Sequence, residues 1–196
     1  MTTFTEAEIK ARAQAIASSR HKVAKAILEE ASVNPLDEYD VFLSYSSQEP
    51  HEIILGVREV LIGYGLTVYV DKFVDPSLTP DKVTKDTAET LRTRLRQSKS
   101  LLYLHSDNSH ISKWMPWELG YADGLHGKVG VFPVTEKAKS NYVGQEYLGI
   151  YPYVEHAEDS TTKLDRLWIS ESETKYAAHD KWIKGDSEIK ERKRTT

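Results

Sequence analysis

Cysteine is missing from the 196-residue sequence. Its absence excludes a disulfide framework and any metal site built on thiolates. No apolar stretch approaches the roughly 18 to 20 residues that a membrane-spanning helix needs. The first ten residues, MTTFTEAEIK, lack the basic region and apolar core of a secretory signal. We therefore expect a cytoplasmic protein that has no membrane partner.

A strong excess of charge of either sign is also absent. The chain has 26 basic and 30 acidic residues and a formal net charge of −4, which argues against nucleic acid as the main partner. Its basic cluster at residues 190–194 (KERKR) lies at the carboxyl end, where a solvated tail is the simpler interpretation. A hydrophobic content of 39% suffices for one core.

Five short apolar runs alternate with helical patterns along the chain. The runs are rich in β-branched and aromatic residues and too short for helices, as expected of buried strands. They cover residues 41–43, 66–70, 101–105, 129–134 and 147–154. This alternation predicts an α/β fold, an open sheet of about five parallel strands with helices on both faces.

The two ends of the chain are predicted to be helical. In residues 1–36, Ile9, Ala13, Ile16, Val23 and Ile27 lie near one face, which predicts one long amphipathic helix. Two interpretations stay open for this helix: it packs against its own domain, or it serves self-association or partner docking. Residues 37–170 form the main domain, and residues 171–196 a carboxyl-terminal helix with a basic tail.

Polar side chains follow the first three predicted strands. In an open α/β sheet, ligands bind outside the carboxyl ends of the strands, where the strand order reverses. The residues at these ends are Ser44, Tyr45 and Ser46 after the first strand, Asp71 after the second, and Ser106 and Asp107 after the third. We expect them to face one cleft.

An aromatic residue and a carboxylate are paired in residues 114–124 (WMPWELGYADG). Because proline is tolerated only in the first turn of a helix, a helix must begin near Pro116. On that helix Trp114 and Glu118, four residues apart, would share a face, and we expect Glu118 to be exposed in the cleft. An aromatic plane can stack on a nicotinamide ring, and a carboxylate can stabilise positive charge. The pair suits the cleavage of a glycosidic bond.

Taken together, these motifs resemble the Toll/interleukin-1 receptor (TIR) domain family over about residues 38–155. The resemblance lies in YDVFLSYSS (39–47), GLTVYVD (65–71), LRQSKSLLYLHS (95–106), the W-x-x-x-E of residues 114–118 and GKVGVFPV (127–134). It implies a flavodoxin-like fold with an assembly loop after the second strand. Here that loop is residues 72–79, in which Phe73 and Leu78 are apolar.

Many members of this family cleave NAD at the nicotinamide–ribose bond, and the glutamate of the W-x-x-x-E motif is essential for that reaction. The resemblance therefore implies a catalytic role for Glu118, with NAD as a substrate and not a retained cofactor. No metal is expected, because His105 and His110, five residues apart across a predicted loop, have no evident third ligand. The strand-end residues Ser44, Tyr45, Ser46 and Asp71, together with Trp114, are predicted to bind the substrate. Several enzymatic relatives have a basic residue just after the first strand, where this chain has serines, so phosphate contacts are not carried over.

The sequence leaves the product and the setting open. Water as acceptor gives ADP-ribose, an internal hydroxyl gives a cyclic isomer, and an external nucleophile gives a conjugate. The resemblance is to bacterial TIR proteins of Thoeris-type antiphage systems, which make a nucleotide signal for a separate effector; direct depletion of NAD is another possibility. The alternative to an enzyme is a TIR scaffold that only recruits partners.

Overall fold

The computed structural model of the protein describes residues 1–31, 37–70, 85–106, 112, 114–144 and 146–191. Within them lie nine strands, six α-helices and one 3₁₀ turn. In chain order these are β1 Phe4–Thr5, α1 Glu6–Arg20, α2 Ala24–Ala31, β2 Val41–Ser44, α3 His51–Gly63, β3 Val68–Val70, α4 Lys85–Arg96, β4 Leu101–His105, α5 Met115–His126, β5 Val129–Thr135, the 3₁₀ turn Glu146–Ile150, β6 Tyr153–Glu158, β7 Asp165–Ser170, β8 Lys175–Ala178, α6 His179–Ile183 and β9 Lys190–Glu191.

Five parallel strands form the centre of the sheet in the order β3-β2-β4-β5-β6. This is the strand order of flavodoxin-like folds, and the predicted fold class is confirmed. The sheet then continues through β7, β8 and β9, each antiparallel to its neighbour.

Helices cover both faces of the sheet, and the strand residues alternate between two buried clusters. Val41 and Leu43 of β2 pack in the cluster that includes α1, α2 and α3. Phe42, between them, packs in the cluster that includes α4 and α5. Because successive side chains of a strand point to opposite faces, a strand buried on both sides needs an unbroken apolar run. In β2, Val41, Phe42 and Leu43 form such an unbroken apolar run.

The amino-terminal segment forms two helices, so the prediction of one long helix is wrong. His21 takes a left-handed conformation with φ 52°, and its N–H bonds to the last carbonyls of α1, which ends the helix. The chain then resumes as α2 at Ala24. Val23, which the pattern placed on the apolar face, lies between the helices and is 71% exposed. A heptad-like spacing is satisfied by two short helices as well as by one long one.

Residues 1–31 are built into the domain. Phe4 of β1 pairs in parallel with Val134 of β5, and Thr2 bridges to His156 of β6. Helix α1 packs on α3 so closely that a Cβ added to Gly56 would lie 2.2 Å from the carbonyl oxygen of Ile9. Of the two interpretations of this segment, the structure shows packing against the chain's own sheet and α3.

The fifth parallel strand begins at Tyr153, later than the predicted start at Tyr147. Residues 146–150 form the 3₁₀ turn instead, because Gly149 and Pro152 interrupt the apolar run before a ladder can form. The predicted carboxyl-terminal helix is present as the short α6. Residues 192–196, which hold most of the basic cluster, lie outside the described part of the chain. Along the described residues, no helix has the length and apolar content that a membrane crossing requires.

Candidate active site

The strand order reverses between β2 and β4, and the candidate site lies at their carboxyl ends. Ser44 is the last residue of β2 and is the register partner of Tyr103 in β4. Both side chains lie on the face of the sheet that α5 covers, because Tyr103 belongs to the cluster with Met115 and Leu119. This face and this edge are where a doubly wound sheet binds its ligand.

Helix α5 brings a carboxylate to this edge. It begins at Met115 with Pro116 in its first turn, as predicted, and the Glu118 N–H donates to the carbonyl oxygen of Trp114 at 2.9 Å. Glu118 is only 2% exposed, so the expectation of an exposed cleft carboxylate is wrong. The Ser44 hydroxyl, itself fully buried, donates to Glu118 Oε2 at 2.5 Å. The first turn of a helix also favours a negative charge.

Tyr103 stands beside this pair as a protonated phenol. Its pKa is raised by burial, by a hydrogen bond with Tyr147 and by the charge of the nearby Glu118. Each cause favours the neutral phenol, so Tyr103 is a hydrogen-bond donor throughout the physiological pH range.

The chain that returns from β5 to β6 forms the next part of the edge. The Tyr142 hydroxyl lies 2.7 Å from Nδ1 of His105, the last residue of β4, and the two rings meet edge to face at 5.6 Å. Burial raises the pKa of Tyr142, which keeps its hydroxyl protonated. The sequence pointed to neither contact. The available signal was the alternation of β4, which places Tyr103 and His105 on one face.

A second serine–carboxylate pair lies at the ends of the same two strands. The Ser106 hydroxyl donates to Glu49 Oε2 at 2.5 Å, and Glu49 is 5% exposed. Sequence reasoning did not identify Glu49, because nothing local shows that the turn after β2 folds back towards β4. Ser46, which we predicted to bind substrate, accepts the Gln48 N–H at 3.2 Å and so stabilises this turn.

The structure places Tyr45 and Trp114, two other residues predicted to bind substrate, in different surroundings. Tyr45 is 5% exposed and packs in the cluster with α1 and α3, on the opposite face of the sheet from Ser44. Trp114 is half-buried immediately before α5 and meets Trp117 edge to face at 5.5 Å. Trp117 in turn stacks on Tyr121 and carries the Arg92 guanidinium 5.7 Å from its ring centroid. Asp71, Asp107, Phe73 and Leu78 lie outside the described residues.

The geometry suits the stabilisation of positive charge. A carboxylate that is buried, hydrogen-bonded to one serine and placed at a helix start interacts with a cation more strongly than one in water does. In the described ranges, no group of three or more His, Cys, Asp or Glu side chains is placed to hold a metal ion.

A flavodoxin-like sheet with a buried serine–glutamate pair at its switch point defines a domain of the TIR class. No protein-family model matches the chain. It is 40% identical over 192 residues to the "Probable 3' cyclic ADP-D-ribose synthase ThsB'" of Bacillus cereus (strain MSX-D12), covering 93% of this chain and 98% of that protein. It is also 29% identical over 113 residues to the "Putative cyclic ADP-D-ribose synthase TIR2" of Cytobacillus dafuensis, covering 57% of this chain and 30% of that protein. The chain belongs to the bacterial branch of the TIR domain family that includes this ThsB' protein.

Proposed function

We propose that this protein cleaves NAD at the nicotinamide–ribose bond and closes the ADP-ribose unit into a cyclic isomer. The observation that carries the proposal is the buried contact between Ser44 and Glu118 at the switch point of the sheet. The names of the two relatives, both cyclic ADP-D-ribose synthases, support the same chemistry. NAD is a substrate in this proposal and not a retained cofactor.

Bond cleavage leaves the ribose as an oxocarbenium-like cation. The C1–N bond breaks with its electron pair going to the nicotinamide, which leaves as a neutral molecule. Glu118 stabilises the cation, and the hydrogen bond from Ser44 fixes the direction of its carboxylate. A hydroxyl of the same ADP-ribose unit then adds to C1 and releases its proton. The burial of both residues supports an internal acceptor over water, because a closed site limits solvent.

In a bacterial cell, the cyclic product would act as a signal. The family resemblance and the ThsB' relative support an antiphage role of the Thoeris kind, in which a separate effector protein binds the product. The enzyme would act in the cytoplasm, where NAD is available.

Glu118→Gln tests this proposal. The amide has nearly the same shape and its carbonyl oxygen still accepts from Ser44, but it carries no charge, so NAD turnover should fall at least about a hundredfold. Purified protein is incubated with NAD at several protein concentrations, with and without a crowding agent, and the nucleotides are separated by chromatography and identified by mass.

Two controls complete the assay. Ser44→Ala keeps the charge of Glu118 but removes its serine donor, and turnover should fall about tenfold. The thermal midpoint of each variant shows that the protein is folded. Full activity of folded Glu118→Gln would overturn the role of Glu118. A wild-type protein that leaves NAD intact under every condition would favour the scaffold alternative.

A further inference from the structure

His105 is a half-buried histidine at the end of β4. In the proposed reaction, the hydroxyl that adds to C1 releases a proton, and Glu118 acts on the ribose cation, so a separate group must accept this proton. Resting on the proposed function, we infer that His105 is the general base that accepts this proton at Nε2. It thereby decides whether the ribose cation is closed into the cyclic isomer or is captured by water.

The register of the sheet places His105 beside the serine–glutamate pair. Ser44, which donates to Glu118, is paired with Tyr103, and His105 follows Tyr103 by two residues in β4. Because neighbouring strands lie about 4.8 Å apart and two residues of a strand span about 6.7 Å, the Cα atoms of Ser44 and His105 are about 8 Å apart. A two-residue step also returns to the same face of the sheet, the one that α5 covers. A separation of this size accommodates one sugar ring between the carboxylate and the imidazole.

A phenol from the opposite side of the edge orients the imidazole. The Tyr142 hydroxyl oxygen lies 2.7 Å from Nδ1 of His105, and the two rings meet edge to face at 5.6 Å. Tyr142 is 8% exposed and packs in the cluster that holds Met115 and Leu119 of α5, so His105 lies on the face that α5 covers. A second ring contact, with Tyr153 at 5.6 Å, holds the phenol in place. An imidazole fixed at one nitrogen presents the other in a defined direction.

This contact also assigns different chemistry to the two ring nitrogens of His105. When Nδ1–H donates to the Tyr142 oxygen, Nε2 of the neutral imidazole carries the lone pair and can accept a proton. Burial raises the pKa of Tyr142, so its phenol stays neutral beside the imidazole. The imidazolium formed by the transfer keeps the same bond from Nδ1–H, and no rearrangement is needed. Histidine is the usual residue for such a transfer near neutral pH.

The step balances in atoms and in charge. The C1–N bond has already broken with its electron pair on the nicotinamide, which leaves the ribose cation. A lone pair of the hydroxyl oxygen forms the new bond to C1, the O–H bond breaks with its electron pair staying on that oxygen, and the proton moves to Nε2. The imidazolium later passes the proton to water. A water molecule that attacks C1 can give its proton to further water, whereas a hydroxyl in a closed site depends on a nearby base.

The ratio of cyclic product to ADP-ribose tests this role. His105→Asn keeps an amide N–H for the bond to Tyr142 but has no basic nitrogen. The ratio should fall about tenfold while the rate of NAD consumption stays within about threefold, since cleavage of C1–N precedes the step that His105 assists. His21→Asn, at an exposed position where α1 ends, is the matched control and should leave both quantities unchanged.

Two further measurements separate a base from a structural residue. His105→Ala should show the same loss, and imidazole added to the buffer should raise its ratio at least about threefold, because free imidazole can accept the proton in place of the side chain. Tyr142→Phe keeps the ring contact but removes the acceptor of Nδ1–H, and the ratio should fall about threefold. Tyr153→Phe removes a hydroxyl that bonds Asn141, and this matched control should leave the ratio unchanged.

Failure of the proposed function and failure of this inference look different. A wild-type protein that leaves NAD intact, or converts it only to ADP-ribose, would overturn the proposed function. A wild-type protein that makes the cyclic product, together with an unchanged ratio in folded His105→Asn, would overturn the role of His105 alone. Slower NAD consumption at a constant ratio, or a His105→Ala protein that does not respond to imidazole, would do the same, because either result describes a structural residue. The thermal midpoint of each variant verifies that it is folded.

Discussion

At the scale of single residues, the site is defined by carboxylates that the fold has removed from water. Glu118 and Glu49 are 2% and 5% exposed, and each accepts a hydrogen bond from a serine at the end of a neighbouring strand. Burying an ionised carboxylate is unfavourable unless it is hydrogen-bonded or paired. Two such serine–carboxylate pairs lie at one edge of the sheet, and the proposed function gives the first of them its role.

The burial of His179 gives a prediction about how the stability of the fold depends on pH. It is fully buried in α6 beside the Trp182 ring, and within the described residues neither ring nitrogen has a hydrogen-bond partner. Burial lowers the pKa of His179 from 6.5 to about 4. Between these values the unfolded chain binds a proton that the folded chain does not, so stability is lost as the pH falls through this window, by about 3 kcal/mol in total.

His179→Phe removes this proton and keeps a ring against Trp182. The variant should lose less free energy of unfolding than wild type when the pH is lowered from 7 to 4.5, as measured by denaturant titration. Asp40, Asp159 and Asp180 have lowered pKa values and weaken the fold as the pH approaches and passes 3.8, and His126, whose pKa burial also lowers from 6.5, acts in the same window as His179. Wild type and His179→Phe share these groups, so the difference between their two pH profiles reports His179. Parallel pH profiles for the two proteins would contradict the prediction.

At the scale of elements, the close contact between α1 and α3 depends on the absence of a side chain at Gly56. A Cβ on Gly56 would meet the backbone of Ile9 at 2.2 Å, and a backbone oxygen cannot rotate away. Gly56→Ala should therefore lower the free energy of unfolding by about 1 to 3 kcal/mol, although alanine favours a helix.

Gly124→Ala in α5 is the matched control. It is also a helical glycine, but its added Cβ meets nothing within 4 Å, so the change should raise stability by about 0.5 to 1 kcal/mol. Denaturant unfolding of both variants decides the point. A stabilised Gly56→Ala protein would show that α1 can move away from α3 without loss.

The elements also show what a local pattern can predict. The strand predicted at residues 101–105 agrees with β4 as observed, because a buried parallel strand consists largely of consecutive apolar residues. Strand β7, with the sequence DRLWIS, has charged residues at its start and pairs antiparallel at the side of the sheet. Its partner is fixed by the turn that precedes it, which no apolar run indicates.

At the scale of the whole molecule, the sequence predicts where the candidate site lies in the fold, but only some of the side chains that line it. Strand order locates the cleft, and the W-x-x-x-E motif provides Glu118. The contacts of Tyr103, His105 and Tyr142 depend on strand register and on the path of the chain between β5 and β6. These are long-range properties, so a short window of sequence does not contain them.

Assembly gives a prediction at the same scale. Family members associate through the loop after the second strand, which here would contain Phe73 and Leu78. Changing both to Ser should lower the specific activity on NAD at high protein concentration and leave the thermal midpoint unchanged. The double change of Val23 and Leu164 to Ser, at positions 71% and 69% exposed, is the control and should have no effect. Sedimentation of the same samples measures their association. A protein that stays monomeric and has the same specific activity at every protein concentration would contradict the prediction.

The pairing of β1 with β5 sets an order of events during protein synthesis. Thr3 bonds to Thr135, 132 residues later in the chain, and Thr2 contacts His156, 154 residues later. At 5 to 20 residues per second, a ribosome needs on the order of ten seconds to make the partners of the first strand. During that interval Phe4 cannot be covered as it is in the folded protein. The nascent chain must keep residues 2–5 available until β5 and β6 emerge, so this part of the sheet is completed only after β6 has been synthesised.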